Sequence, residues 1–177
     1  FHAAIWPGML LSADIPLPKS IFVHGFITVE GQKISKTVGN VIDPVDLVKK
    51  FGVDRVRYYL LREIPPFDDG DFSEERFRER SNSDLSNGLG NFASRVSTLA
   101  EKEKEFEVNW DLDSIVSKKI EEIRKSSAEK INDFKFHEAL GEIWELVKFG
   151  DSYVNEKKPW EKRDLGVLYN LVAILDN

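Results

Sequence analysis

At 177 residues, with 41% hydrophobic and 32% charged side chains, the chain has globular composition, with neither the apolar poverty of a disordered segment nor the long apolar run of a membrane span. Its formal charge of −6 and pI near 5.2 argue against nucleic-acid binding by bulk electrostatics, which needs a basic face. There is no cysteine, and His2, His24 and His137 are scattered without ligand spacing, so disulfides, thiolate centres and a zinc site are not expected.

The chain opens at Phe1 without an initiator methionine, a basic n-region or an apolar h-region. It is therefore expected to be a cut from a longer cytoplasmic protein that does not engage membrane. "FHAAIWPGMLLSADIPLPKS" starts with an apolar helical pattern (Ile5, Met9, Leu10), and Pro7 inside it predicts a kink or a helix beginning at Trp6-Pro7. "IFVHGFITV" reads as a strand, followed by a turn at Glu30-Gly31. The loop "GQKISKTVGN" comes next. "IDPVDLVKKFGVDRVRYYLLREIPP" predicts two helices, with Asp43 as N-cap before Pro44, Gly52 as the stop, and Pro65-Pro66 ending the second. "FDDGDFS" predicts a turn into a short extended piece, and Ser73 a new cap. From about Ser73 the pattern is helical to the end. Ile120, Ile123 and Ile131, then Leu140, Ile143, Trp144 and Val147, recur at helical spacing and predict an antiparallel helical bundle.

Two lysines on a glycine-flanked loop after a strand suit a polyphosphate. Their ammonium groups are movable charges, Ser35 and backbone amides add donors, and the glycines allow closure. The alternative is a solvated turn with surface lysines. In the helical half, Asn87, Asn91 and Arg95 stand four apart, so a helix projects them on one face. Amides and guanidinium are apt for base edges of single-stranded RNA, and aromatic rings for stacking. The alternative is a polar helix surface, with Trp160 as a packing residue. Trp110 and Trp144 are expected in the core. Arg55, Arg57 and Arg62 are candidates for phosphate contact or for pairing with neighbouring acids.

"HGFITVEGQKISKTVGNVIDPVDLVKKFGVDRVRYYLL" resembles the class I aminoacyl-tRNA synthetases at their KMSKS signature loop and the "GNVIDP" and "GVDxxRYYLL" blocks that follow. "FHAAIWPGMLLSADIPLP", "IFVHGFITV", "REIPPFDDGDFS", "NGLGNFASR" and "YVNEKKPW" are similar to methionyl-tRNA synthetases, in family order from end to end. The resemblance implies a mainly α chain. Residues 1–37 would be the end of a Rossmann-type α/β catalytic domain with the signature loop, 38–80 a stem-contact connector, and 81–177 an antiparallel α-helical anticodon-binding bundle.

It further implies methionine-tRNA ligase chemistry with ATP and Mg²⁺, and with methionine and tRNA(Met) as partners. Lys36 would be the catalytic cation with Lys33 beside it, and Lys33, Ser35, Lys36 and His24 would meet ATP. His2 and Trp6 would border the methionine pocket, with ordinary packing as the alternative for Trp6. Asn87, Asn91, Arg95, Asn155, Pro159 and Trp160 would read the CAU anticodon. Ile34 and Thr37 depart from the signature while keeping an apolar anchor and a hydroxyl, and Asn155 stands where many relatives have aspartate. The adenine-binding HIGH motif is absent from the sequence, so the stretch alone is expected to be inactive, with any zinc knuckle upstream. The rival expectations are another class I synthetase for an aliphatic amino acid, and a non-catalytic tRNA-binding module.

Overall fold

Glu30 and Gly31 both take positive φ, 52° and 73°. This two-residue loop has the twist that matches a tight antiparallel hairpin. It joins β1 (Ile27–Val29) to β2 (Gln32–Lys33), with Thr28 opposite Lys33 and Val29 opposite Gln32. On its other edge β1 pairs in parallel with β3 (Gly70–Phe72), giving the order β2-β1-β3. The computed structural model describes residues 1–35, 37, 39–103, 111–161 and 164–177. Trp110 lies outside them.

The strand expected over 21–29 is shorter than its composition suggests. The Gly25 amide donates to the Pro66 carbonyl and the Phe26 amide to Asp69 Oδ1, so the loop before β3 takes the bonds a ladder would have used. Gly25 is required there, because a Cβ would lie 2.0 Å from the Asp68 carbonyl oxygen. Ahead of it, α1 (Ile5–Ser12) holds Pro7 in its first turn, where no amide is missed. No residue of α1 is buried. Phe1, Ile5, Trp6, Met9 and Leu11 are exposed, so this apolar helix has no apolar cover among the described residues.

The connector follows the sequence closely. Asp43 caps α2 (Pro44–Phe51) by accepting from the Val45 amide at 2.7 Å, and Gly52 at φ 88° separates it from α3 (Val53–Glu63). Val56, Tyr59, Phe72 and Phe77 form a small core with Leu47, Val48 and Phe51 packed against it. Ser73 caps α4 (Glu74–Arg80), accepting from the Arg76 amide at 3.2 Å. The helix then runs through a π-helical stretch, Ser81–Gly90, into α5 (Asn91–Ala100). Gly90 allows this, since a Cβ there would press on the Leu85 carbonyl oxygen at 3.0 Å.

The bundle is completed by α6 (Ser114–Asn132), α7 (Phe136–Lys157) and α8 (Leu165–Asp176), the last capped by Asp164. Its core gathers Phe92, Val96, Ile120, Ile123, Leu146, Val154 and Leu171. Asn170 is buried with every polar atom used: it accepts from the Asp113 amide and donates to the Tyr153 hydroxyl and the Gly166 carbonyl. Burial and the adjacent Asp113 push the Tyr153 hydroxyl well above its usual pKa.

The stripe expected on α7 is displaced. Ile143 is exposed, and the buried α7 residues are Ala139, Leu146, Gly150, Tyr153 and Val154; on α6, Ile131 is likewise exposed. The reason is that α7 contacts α6, α8 and α5 and also α3 of the connector, so its apolar positions are divided between two interfaces. Trp144 belongs to the second of these. It is half-buried, its Nε1–H donates to the Tyr58 hydroxyl at 2.6 Å, and that hydroxyl donates to Asp84 Oδ2 at 2.5 Å. Among the described residues no helix is long and apolar enough to cross a membrane.

Candidate functional site

Two places gather the predicted site residues. At the first, the lysine loop leaves β2 and returns at Asn40. The Asn40 side chain closes its base, accepting from the Ser35 amide at 2.8 Å and donating to the Lys33 carbonyl at 3.1 Å. The Gly39 amide donates to the Ser35 carbonyl. Lys33 extends into solvent with Nζ 5.6 Å from the centre of the Phe26 ring, an exposed cation–π contact worth about 0.5–1 kcal/mol. So weak a hold leaves Lys33 free to move to a better anion.

Ser35 keeps its hydroxyl unspent among the described residues. Ile34 lines an apolar pocket of about 160 Å³ with Ile27, Val29, Ile42, Leu47, Val56 and Phe72, which anchors the loop's first arm on the connector core. Lys36 lies outside the described residues.

Asp71 supports the hairpin from β3. Its Oδ1 accepts from the Gly31 amide at 2.7 Å and from Thr28 Oγ1 at 2.8 Å. These bonds, the Gly31 amide foremost, hold its carboxyl below the ordinary carboxylate range. His24 is exposed, and its Nδ1–H donates to the Gly25 carbonyl at 2.7 Å. His2 and Trp6 are exposed at and just before α1.

At the second place, the end of α7 turns back on α5. Lys158 adopts the left-handed conformation (φ 45°, ψ 58°) and its amide bonds to the Val154 carbonyl. Proline follows, as is common past a helix terminus because it cannot extend the helix. The reversal brings Trp160 over α5, 53% exposed. Trp160 lines a cleft of about 300 Å³ with Leu99, Lys102, Pro159 and Leu168, and a second of about 230 Å³ with Ser94, Arg95, Thr98 and Val154. Arg95 reaches across to α7, donating through one terminal nitrogen to Asp151 Oδ1 at 2.8 Å and through the other to Asn155 Oδ1 at 2.7 Å. The Arg95 and Asp151 side chains remain 38% and 37% exposed, and so open an ion pair adds roughly 0–1 kcal/mol to stability. Its effect lies in orientation.

The fold thus brings together Arg95, Asn155, Pro159 and Trp160. Asn91 is exposed one turn before Arg95 on α5. Asn87 is also exposed, but it sits in the π-helical stretch, where bonds run i→i+5, so the four-residue spacing that joins Asn91 to Arg95 does not extend to it. Sequence reasoning missed Asn40, whose signal was the Gly-Asn pair closing the loop, and Asp151, four residues before Asn155 on the same helix.

Of the connector arginines, Arg62 takes the pairing role, donating to the His137 carbonyl and lying 3.9 Å from Asp84. Arg55 and Arg57 are exposed without an ion pair among the described residues. There, too, no group of three or more acidic or imidazole side chains is placed to hold a metal ion.

Residues 1–97, which hold the lysine loop, the small mixed sheet and the paired helices, match the family model described as tRNA synthetases class I (M). The chain belongs to that family. Its curated relatives include the methionine-tRNA ligases of Clostridium acetobutylicum, 43% identical across 99% of this chain, and of Thermotoga maritima, 42% identical across all of it. In each case the chain spans 29% of the relative's length. Among solved structures it is similar to Mycobacterium tuberculosis methionyl-tRNA synthetase in complex with methionyl-adenylate, with a TM-score of 0.85 at 34% identity, covering 98% of this chain and 36% of that one.

Proposed function

We propose that the chain is the part of a cytoplasmic methionine-tRNA ligase that carries the signature lysine loop and the anticodon-reading bundle. Residues 1–37 form the end of the Rossmann-type catalytic domain, 38–80 the stem-contact connector and 81–177 the anticodon-binding bundle. The exposed apolar surface of α1 then faces the rest of the catalytic domain, with His2 and Trp6 towards methionine. The observation that supports this reading best is the meeting of Arg95, Pro159 and Trp160 around two adjoining clefts, with Asn155 bonded to Arg95. An aromatic platform there stands beside guanidinium and amide groups, which is the equipment for unpaired bases.

In the first step the methionine carboxylate attacks the α-phosphorus of ATP. The bond to the bridging oxygen breaks and pyrophosphate leaves with the electron pair. Negative charge grows on phosphate oxygens, so the group that accelerates the step is a cation delivered to that charge. Lys36 supplies it, with Lys33, the Ser35 hydroxyl and His24 as neighbours of the nucleotide. Asn40 holds the base of the loop, and Ile34 keeps its first arm seated. In the second step a hydroxyl of the tRNA's terminal adenosine attacks the methionyl carbonyl and AMP departs.

Amino-acid-dependent pyrophosphate exchange by the full-length protein tests the reading. Exchange with methionine is expected. Exchange with isoleucine, valine or leucine and none with methionine would instead make the protein a synthetase for an aliphatic amino acid. Absence of any exchange would favour a non-catalytic tRNA-binding module.

A further inference from the structure

Asp151 takes no part in the base-reading set above, yet it holds Arg95. The guanidinium has five N–H donors and no acceptor. Asn155 must therefore meet it with its amide oxygen, as observed, and the two Nδ2 hydrogens face away from Arg95. The carboxylate that partners the guanidinium comes from one helical turn earlier, at Asp151. Residues four apart on a helix share a face, so Asp151 and Asn155 act on Arg95 as a pair.

With Asp151 supplying the charge, Asn155 is left neutral and presents donors. Two of Arg95's five donors are spent on α7; no other hydrogen bond of the guanidinium is made among the described residues, and Arg95 shares a cleft with Trp160. The combined surface is rich in donors and carries little net charge.

Resting on the anticodon reading, we infer that Asp151 is a positioning residue of this cleft. Its carboxylate fixes the orientation in which Arg95 lines the cleft next to Trp160, and frees Asn155 to offer amide N–H groups to an acceptor edge of a base. A base stacked on Trp160 that offers oxygen or ring-nitrogen acceptors is preferred, and one that offers donors there is rejected. Without Asp151 the guanidinium can move through its rotamers, and must be ordered again at each binding event.

The test uses the full-length protein and a fluorescein-labelled stem-loop RNA bearing CAU, compared with the same RNA changed at one anticodon base. Asp151→Ala should weaken CAU binding by about tenfold and narrow the ratio between the two RNAs. Asp151→Glu keeps a carboxylate facing Arg95 and leaves the Asn155 amide in place. Most of the CAU affinity should then be retained relative to Asp151→Asn, which keeps the shape but loses the charge, a difference that a purely structural role would not give. Unchanged affinity and ratio in Asp151→Ala would overturn the proposal, as would an Asp151→Glu variant no better than Asp151→Asn. A wild-type protein that fails to distinguish the two RNAs would overturn the anticodon reading itself, and this proposal with it.

Discussion

A tryptophan with half its surface in water is an apolar area of the kind proteins usually bury. Trp160 is held there by the left-handed turn at Lys158 rather than by packing on all sides. Each base stacked on such a ring contributes about 1–3 kcal/mol. Trp160→Ala is accordingly expected to raise KM for tRNA in the charging reaction by about five- to a hundredfold, as read from initial rates against tRNA concentration. An unchanged KM would remove Trp160 from the interface. Lys36→Ala should slow adenylate formation by about a hundredfold or more with little change in methionine affinity, because the contact forms mainly with the transition state. Single-turnover kinetics separates the two quantities, and equal losses in both would contradict that role.

At the scale of elements, the hairpin that carries the lysine loop depends on one carboxylate. Asp71 has a depressed pKa in the folded state, so its contribution is present above the unfolded value of about 4 and is lost as pH falls through the folded one. The Gly31 amide proton, which donates to Asp71, should titrate by NMR with a midpoint below about 4. A midpoint at or above the ordinary carboxylate value would refute the bond.

Helix α7 gives a paired test of packing. At Gly150 a Cβ would come within 2.3 Å of the Phe92 ring, whereas at Gly141 it would meet nothing within 4 Å. Gly150→Ala should cost about 1–3 kcal/mol by overpacking, and Gly141→Ala should stabilise by up to about 1 kcal/mol through helix propensity. Thermal unfolding of each variant reads both signs.

These elements also mark what was legible beforehand. Asp43, Gly52, Ser73 and the Glu30-Gly31 turn act through neighbours within a few residues, so the sequence displays them directly. The division of α7 between two interfaces and the hold of Asp151 on Arg95 depend on partners dozens of residues away, which periodicity does not register, and the π-helical stretch through Asn87 uses i→i+5 bonds that a 3.6-residue period does not show. Trp144 was expected in the core for the same reason. Only the approach of Tyr58 from α3 gives its N–H an acceptor.

At the scale of the molecule, the connector joins loop and bundle through two different contacts. On one side Ile34 seats the loop on the connector core. On the other, Tyr58 of α3 bridges Asp84 and Trp144, with Arg80 pairing Glu63 and Asp84 alongside. Burial and the neighbouring Asp84 push the Tyr58 hydroxyl well above its usual range, so it stays a donor through neutral and mildly alkaline pH. In the proposed function, a net charge of −6 leaves recognition to local contacts: the cations of one loop and the ring and donors of one cleft.

The structure of the full-length protein with methionine, a non-hydrolysable ATP analogue and a CAU stem-loop tests this most directly. The account predicts the ammonium groups of Lys33 and Lys36 on phosphate oxygens, with an anticodon base stacked on Trp160 and bonded to Arg95. Lysines buried against carboxylates away from the nucleotide, or RNA seated elsewhere with Trp160 bare, would contradict it.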